Sequence, residues 1–249
     1  MGKLYNLRDV LIEAYNNKKA IGHFNINNLE WTIAILNSAR ESKSPLILGV
    51  SVGAAKYMGG YKTVYSIVTS LIDELKIEEK IVLHLDHGDS FDECKKAIDA
   101  GFSSVMIDAS KYSLEENIEI TKKVIEYSKK FNVSVEAEVG SIGGSEDGIS
   151  SDVNYASIED CIKFAESCKI DALAVGYGSM HGNYLSEPKL NFELLKNINN
   201  KLKMPLVLHG ASGIFDYQIK ESIENGVCKI NINTDCQVAW ASKVREIIK

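Results

Sequence analysis

The chain has 249 residues, 45% hydrophobic and 25% charged, with 28 basic against 34 acidic side chains and a net charge of −6. This balance suits a globular enzyme with a sizeable core, and with no basic run it argues against a nucleic-acid partner. The opening MGKLYNLRDVLIEAYNN holds no apolar stretch of signal-peptide length, Asn6 stands where a myristoylation signal wants Ser or Thr, and no later segment reaches the length of a membrane span. A cytoplasmic protein with no membrane partner is expected. The five cysteines form no CxxC pair, and Cys161 and Cys168 would lie roughly 10 Å apart on a helix, too far to bridge. All five are read as core or helix-face thiols of a reducing compartment.

In chain order, Leu7, Val10, Leu11 and Ala14 repeat at helical spacing and predict a helix over Leu7–Asn16. A first apolar run covers 20–25, and Leu29, Ile33 and Leu36 mark the next helix. Further short runs, apolar or rich in β-branched residues, cover 45–51, 80–86, 103–108, 133–139, 172–176, 205–209 and 227–231. Unbroken apolar runs of this length suit strands covered on both faces. Residues 115–130 form a charged helix with Ile118, Val124 and Ile125 on its apolar side, and 218–225 and 236–248 read as the last two helices.

Eight strands alternating with helices in about 250 residues is the pattern of a (β/α)8 TIM barrel. A doubly wound sheet is disfavoured because no GxGxxG follows the first strand. One domain, 1–249, is expected, with the extra N-terminal helix covering the barrel bottom.

The barrel converts sequence position into geometry, since strand C-termini converge on one face. There the sequence places Asp86 and His87, Asp108, Glu136 and Glu138, His181, His209, Asn231 and Asn233. His87, His181 and His209 each follow an apolar run and precede glycine. Singly, each suits a hydrogen-bonded strand end; together they suit a catalytic metal with an open position. Lys229 offers a rival Schiff-base amine, and His23 reads as a satisfied interior histidine. The Gly/Ser-rich segment 140–152 lacks periodicity and predicts a mobile loop over the mouth. Gly210 to Gly213 and Asn231 to Thr234 would form an anion nest without a basic residue, completed by Gly182.

The segments HLDHG (84–88), SVMIDAS (104–110), SVEAEVGSIGGSEDG (134–148), GSMHG (178–182), LVLHGASG (206–213) and KININTD (229–235) resemble the motif series of class II, metal-dependent ketose-bisphosphate aldolases. The match runs from about residue 5 to the end, and 44–64 is similar to the fructose-bisphosphate branch. The resemblance implies reversible cleavage of fructose 1,6-bisphosphate to dihydroxyacetone phosphate and glyceraldehyde 3-phosphate, in glycolysis or gluconeogenesis, by a homodimer. It implies Zn2+ on His87, His181 and His209, with Asp108 and Glu138 lining an alternative inward position and His84 supporting by hydrogen bonding. Asp86 would move the C4-hydroxyl proton, and Glu146 would exchange the proton of the three-carbon product. Asn25 would bind the substrate backbone and Ser51 the distal phosphate. Gly182, Gly210, Ser212, Asn231, Asn233 and Thr234 would hold the other phosphate, beside a monovalent cation (Na+ or K+). The alternatives are a tagatose-bisphosphate aldolase or a truncated, non-catalytic sugar-phosphate-binding barrel. Leu185 and Ser186 replace the Lys-Gly pair that commonly follows the His-Gly, and Ser145 stands where relatives often carry Glu or Gln. The C-terminal helices look cut short at Lys249, without the arginine that family members bring to the distal phosphate.

Overall fold

The computed structural model describes residues 2–146, 149–151 and 154–248. Eleven strands and ten α-helices follow in chain order among these residues. They are α1 Leu7–Asn16, β1 Ile21–Asn25, α2 Leu29–Ser42, β2 Leu46–Ser51, α3 Val52–Tyr57, α4 Tyr61–Glu74, β3 Ile81–Gly88, α5 Phe91–Ala100, β4 Ser104–Ile107, α6 Leu114–Ser128 and β5 Ser134–Val139. The remainder are β6 Gly143–Glu146, β7 Ile149–Ser151, α7 Ile158–Ser167, β8 Ala172–Val175, β9 Met180–His181, α8 Phe192–Leu202, β10 Leu206–Leu208, α9 Asp216–Glu224, β11 Val227–Ile232 and α10 Thr234–Ile247.

The eight expected runs are the eight staves of a closed parallel barrel, ordered β1-β11-β10-β8-β5-β4-β3-β2. Helices start where a side chain can cap them: Asn6, Asn28, Ser51, Ser90, Ser113, Ser157 and Asn191 each accept a first-turn backbone N–H. At α6, Ser113 and Glu116 complete a reciprocal capping box. Apolar side chains pack in two layers. One, including Leu83, Val105, Phe164 and Leu208, lies between sheet and helices. The other fills the barrel bottom, where Leu7, Val10, Leu11 and Ala14 of α1 meet Ile47, Val82, Met106 and Val207. The N-terminal helix therefore plugs the barrel as its periodicity suggests. Among the described residues, no helix is long and apolar enough to cross a membrane.

Three local features depart from the sequence expectation. Within the Gly/Ser-rich segment, β6 pairs antiparallel with β7, and β6 also pairs parallel with β9, Gly143 opposite Met180 and Gly144 opposite His181. Its order comes from backbone pairing, which leaves no hydrophobic period to read. On α2 the buried stripe is Trp31, Thr32, Leu36 and Ala39, whereas Leu29 is exposed. On α10 none of the described side chains is buried, and Val238, Trp240 and Val244 face solvent apart from an edge contact of Trp240 with Trp31. A groove of about 990 Å3 opens near the strand beginnings, lined by Ala14, Gly22, Phe24, Ile35, Leu46 and Cys236. It lies away from the strand C-termini that carry the polar residues.

Candidate active site

Strand β3 supplies two adjacent inward side chains, which strict alternation forbids. The register with β4 slips between Leu85 and Gly88, and His87 sits at φ 46°, the left-handed region that a non-glycine residue seldom adopts. This bulge turns His87 to the mouth while Asp86 stays buried within the barrel. Asp86 Oδ2 accepts from Asn25 Nδ2 at 2.9 Å, and its Oδ1 accepts from Asn231 Nδ2 at 3.3 Å. Burial opposes ionisation of Asp86, but the buried Lys229 ammonium nearby and the two amide donors favour the carboxylate, and the carboxyl stays well below its usual range.

The three strand-end histidines converge. Nitrogens of His87, His181 and His209 lie within 4.8 Å of one another, and the ring centroids are 4.6 to 5.9 Å apart. His87 Nδ1 donates to Asp108 Oδ2 at 2.8 Å, which leaves Nε2 facing His209 Nδ1 at 2.9 Å. His209 Nε2 donates to Glu136 Oε1 at 3.0 Å. Two ring lone pairs thus point at each other, and only a proton or a metal ion can lie between them. A carboxylate behind each imidazole is also what a metal-ligating histidine needs to fix its ring. The residues present fit a divalent metal. Burial lowers the His181 pKa to about 3 and that of His209 well below its ordinary value, so both offer lone pairs at neutral pH.

The flanking carboxyls are in the expected places. Asp108 also accepts from Ser110 N and Oγ at 3.1 and 2.7 Å. Burial opposes its ionisation, but His87 and Ser110 hold it well below the usual range. Glu138 Oε1 accepts from Ile142 N at 3.2 Å, and burial, helped by Asp108, pushes its pKa up to about 8. His87, Asp108 and Glu138 bring ligand atoms within 4.8 Å of one another, a second arrangement capable of holding a cation.

One layer below, one expectation changes. His84 bonds Ser104 Oγ at 2.8 Å and lies 3.4 Å from Lys229 Nζ, within the buried polar layer under the mouth. His23 is interior but not satisfied: neither ring nitrogen has a hydrogen-bond partner among the described residues. Burial, with Lys229 nearby, keeps His23 neutral by lowering its pKa well below the ordinary value. Lys229 is a buried strand residue, as read, and its amine is 3.0 Å from the Glu136 carboxylate.

Of the residues expected from the sequence to bind substrate, Asn25 and Asn231 sit against Asp86, with Asn231 Nδ2 also 3.2 Å from His209 Nδ1. Ser51 caps α3 and, with Lys56, His87, Asp108, Lys111 and His181, lines a cavity of about 430 Å3 at the mouth. Ser212 Oγ accepts the Asp235 N–H at 3.1 Å, while Asn233 and Thr234 open α10, so the loops after β10 and β11 meet at a helix start. Gly210 and Gly182 have φ of 63° and 94°, and Gly182 faces open space. The backbone of Glu146 pairs with Ile149, but its side chain lies outside the described residues. Sequence reading missed Tyr184, whose hydroxyl donates to Gly210 O at 2.9 Å and accepts from Met180 N at 2.8 Å, tying two mouth loops together. It also missed Lys56, on the helix that Ser51 caps, and Lys111, which the packing of β2, β3 and β4 brings to the same cavity.

Residues 5–249 match the family described as fructose-bisphosphate aldolase class-II. The chain belongs to this family. A fructose-bisphosphate aldolase of Geobacillus stearothermophilus is 50% identical over 246 residues, which cover 98% of this chain and 86% of that protein. A 6-phospho-5-dehydro-2-deoxy-D-gluconate aldolase of Halalkalibacterium halodurans is 49% identical over 245 residues, covering 98% and 85%. Among solved structures, the YdjI aldolase of Escherichia coli superposes with a TM-score of 0.86 at 33% identity, covering 98% of this chain and 86% of that one. The chain is thus an aldolase of a family that acts on small sugar phosphates and is generally metal-dependent.

Proposed function

We propose that this class II aldolase cleaves fructose 1,6-bisphosphate reversibly to dihydroxyacetone phosphate and glyceraldehyde 3-phosphate, using zinc held by His87, His181 and His209. The observation that carries this reading is the convergence of the three imidazoles directly beside the ionised Asp86. Zinc, when bound there, would polarise the C2 carbonyl and offset the negative charge that develops as the C3–C4 bond breaks. Asp86 takes the proton from the C4 hydroxyl, held ready by the Asn25 and Asn231 amides. The C3–C4 electron pair passes into the enediolate of the three-carbon half, and the C4 oxygen becomes the aldehyde. Glu146 returns a proton to C3, giving dihydroxyacetone phosphate. Gly210, Ser212, Asn233 and Thr234 hold the phosphate of that half at the start of α10, with Gly182 beside it.

A second reading comes from the relatives that bear the other name. In 6-phospho-5-dehydro-2-deoxy-D-gluconate the ketone is also flanked by a phosphate-bearing carbon, so aldol cleavage would release the same three-carbon half. The two substrates differ at the far end, phosphate against carboxylate, which would face Ser51, Lys56 and Lys111. Turnover of fructose bisphosphate, tagatose bisphosphate and the phospho-deoxygluconate, measured side by side, tests the assignment. Highest kcat/KM for fructose bisphosphate, lost in excess EDTA and restored by zinc, is expected. A higher value for either competitor reassigns the substrate, and borohydride trapping on Lys229 or full activity in EDTA removes the zinc mechanism.

A further inference from the structure

Beneath His209 lies a fully buried chain of polar groups whose proton positions are forced. Lys229 Nζ is 3.0 Å from Glu136 and 3.4 Å from His84 Nε2, and Glu136 Oε1 is 3.0 Å from His209 Nε2. His84, Glu136, Lys229 and His209 are all closed to solvent. An ammonium can only donate and a carboxylate can only accept. His84 must therefore accept at Nε2 and donate from Nδ1, where Ser104 Oγ stands at 2.8 Å. By the same logic His209 must carry its proton on Nε2, leaving the Nδ1 lone pair to the cleft, 2.9 Å from His87 Nε2. Histidine left to itself exchanges between tautomers, and only one of them offers Nδ1 to a metal.

We infer that the Glu136–Lys229 pair is a positioning device that sets the tautomer and ring plane of His209 before any metal arrives. This inference rests on the zinc reading above. Stability alone does not explain the pair, because a buried ion pair replaced by neutral groups of similar shape often leaves a protein as stable or more so. Its place does: it spans β5 and β11, which are not neighbours in the barrel, and meets the His209 ring just after β10. Glu136 and Lys229 touch neither substrate nor metal; they act through His209.

The first test needs no substitution. Nitrogen-15 spectra of the zinc-free protein at neutral pH should show His209 as the Nε2-protonated tautomer. An Nδ1-protonated His209 overturns the inference. The second test uses Glu136→Gln together with Lys229→Met, which removes both charges while keeping volume. A glutamine amide can either accept from or donate to Nε2, so the tautomer should become mixed, and zinc dissociation measured by chelator competition should rise about 10- to 100-fold. The melting temperature of the zinc-free variant should stay near that of the parent. Zinc affinity equal to the parent with His209 still protonated on Nε2 overturns the inference; should the variant fail to fold, the parent spectrum decides. A parent protein that binds no stoichiometric zinc refutes the zinc reading instead, which the tautomer measurement leaves untouched.

Discussion

The site is built in two ways. Its inner half, Asp86, His209, Glu136, Asn25 and Asn231, is held by side-chain hydrogen bonds within a closed barrel, and each of these residues is buried. Its rim half, His181 with the paired β6 and β7, is held by backbone pairing, Gly144 lying opposite His181. Glycine is required there: a Cβ on Gly144, at φ 94°, would fall 2.0 Å from His181 O. The inner half is fixed by side-chain partners, whereas the rim half is fixed through its backbone. Substitutions should therefore damage the two halves in different currencies, chemistry within and binding at the rim.

The largest effect is expected inside. His209→Ala removes a ligand and its link to Glu136, so metal occupancy should collapse and kcat/KM fall by about three orders of magnitude or more, since several kcal/mol of charge stabilisation go with the ion. Retained metal content by elemental analysis would remove His209 from the ligand set. Asp86→Ala should keep zinc while losing about 10²- to 10⁴-fold in cleavage, the usual worth of a positioned acid–base group. Loss of metal along with activity would make Asp86 a support for the histidines.

At the rim, Glu146→Ala should slow hydrogen exchange on dihydroxyacetone phosphate at least as much as overall cleavage. Unchanged exchange would transfer that proton to another group, Asp86 being nearest to the chemistry. Gly144→Ala should displace His181 and cost about tenfold in kcat/KM, chiefly through KM. Wild-type kinetics in that variant would show that the strand pairing does not position His181.

The smallest effect concerns pH and the layer beneath the inner half. His23 and His84 are neutral when folded because burial lowers their pKa values well below the ordinary one. Folded-state depression means that the unfolded chain binds more protons, so their contribution is complete above about pH 6.5 and is lost as pH falls below that. Zinc-free protein should lose urea stability progressively from about pH 6.5 downward, and His23→Phe should flatten the slope. A slope unchanged by that substitution would place the acid sensitivity elsewhere.

The barrel could be read in the sequence because all eight staves are short runs of strand length, apolar or rich in β-branched residues, and α1 carries a clean helical stripe. The convergence of His87, His181 and His209 followed from strand ends, and the shared face of Glu136 and Glu138 from alternation by two. What stayed hidden depends on backbone rather than side-chain pattern. The bulge puts its positive φ on His87 rather than on the neighbouring Gly88, and the β6–β7 pairing lies in a Gly/Ser-rich segment. Tyr184 reaches the mouth only through its contacts with Gly210 and Met180, and α10 has helical sequence without the burial that helical spacing leads one to expect.

The Glu136–Lys229 pair also bears on the order in which the protein can fold. Its partners are 93 residues apart, and Lys229 lies on β11, whose pairing with β1 joins residue 21 to residue 229 and shuts the barrel. Before that ring closes, β5 would bury a carboxylate with no compensating charge, an arrangement costly enough to keep partial barrels loose. Contacts of such long sequence separation form late and slowly. The stave that closes the ring is thus also the one that neutralises the interior, so completion of the barrel and completion of the His209 setting coincide. A chain halted before β11 would carry a site that is unformed rather than merely weakened.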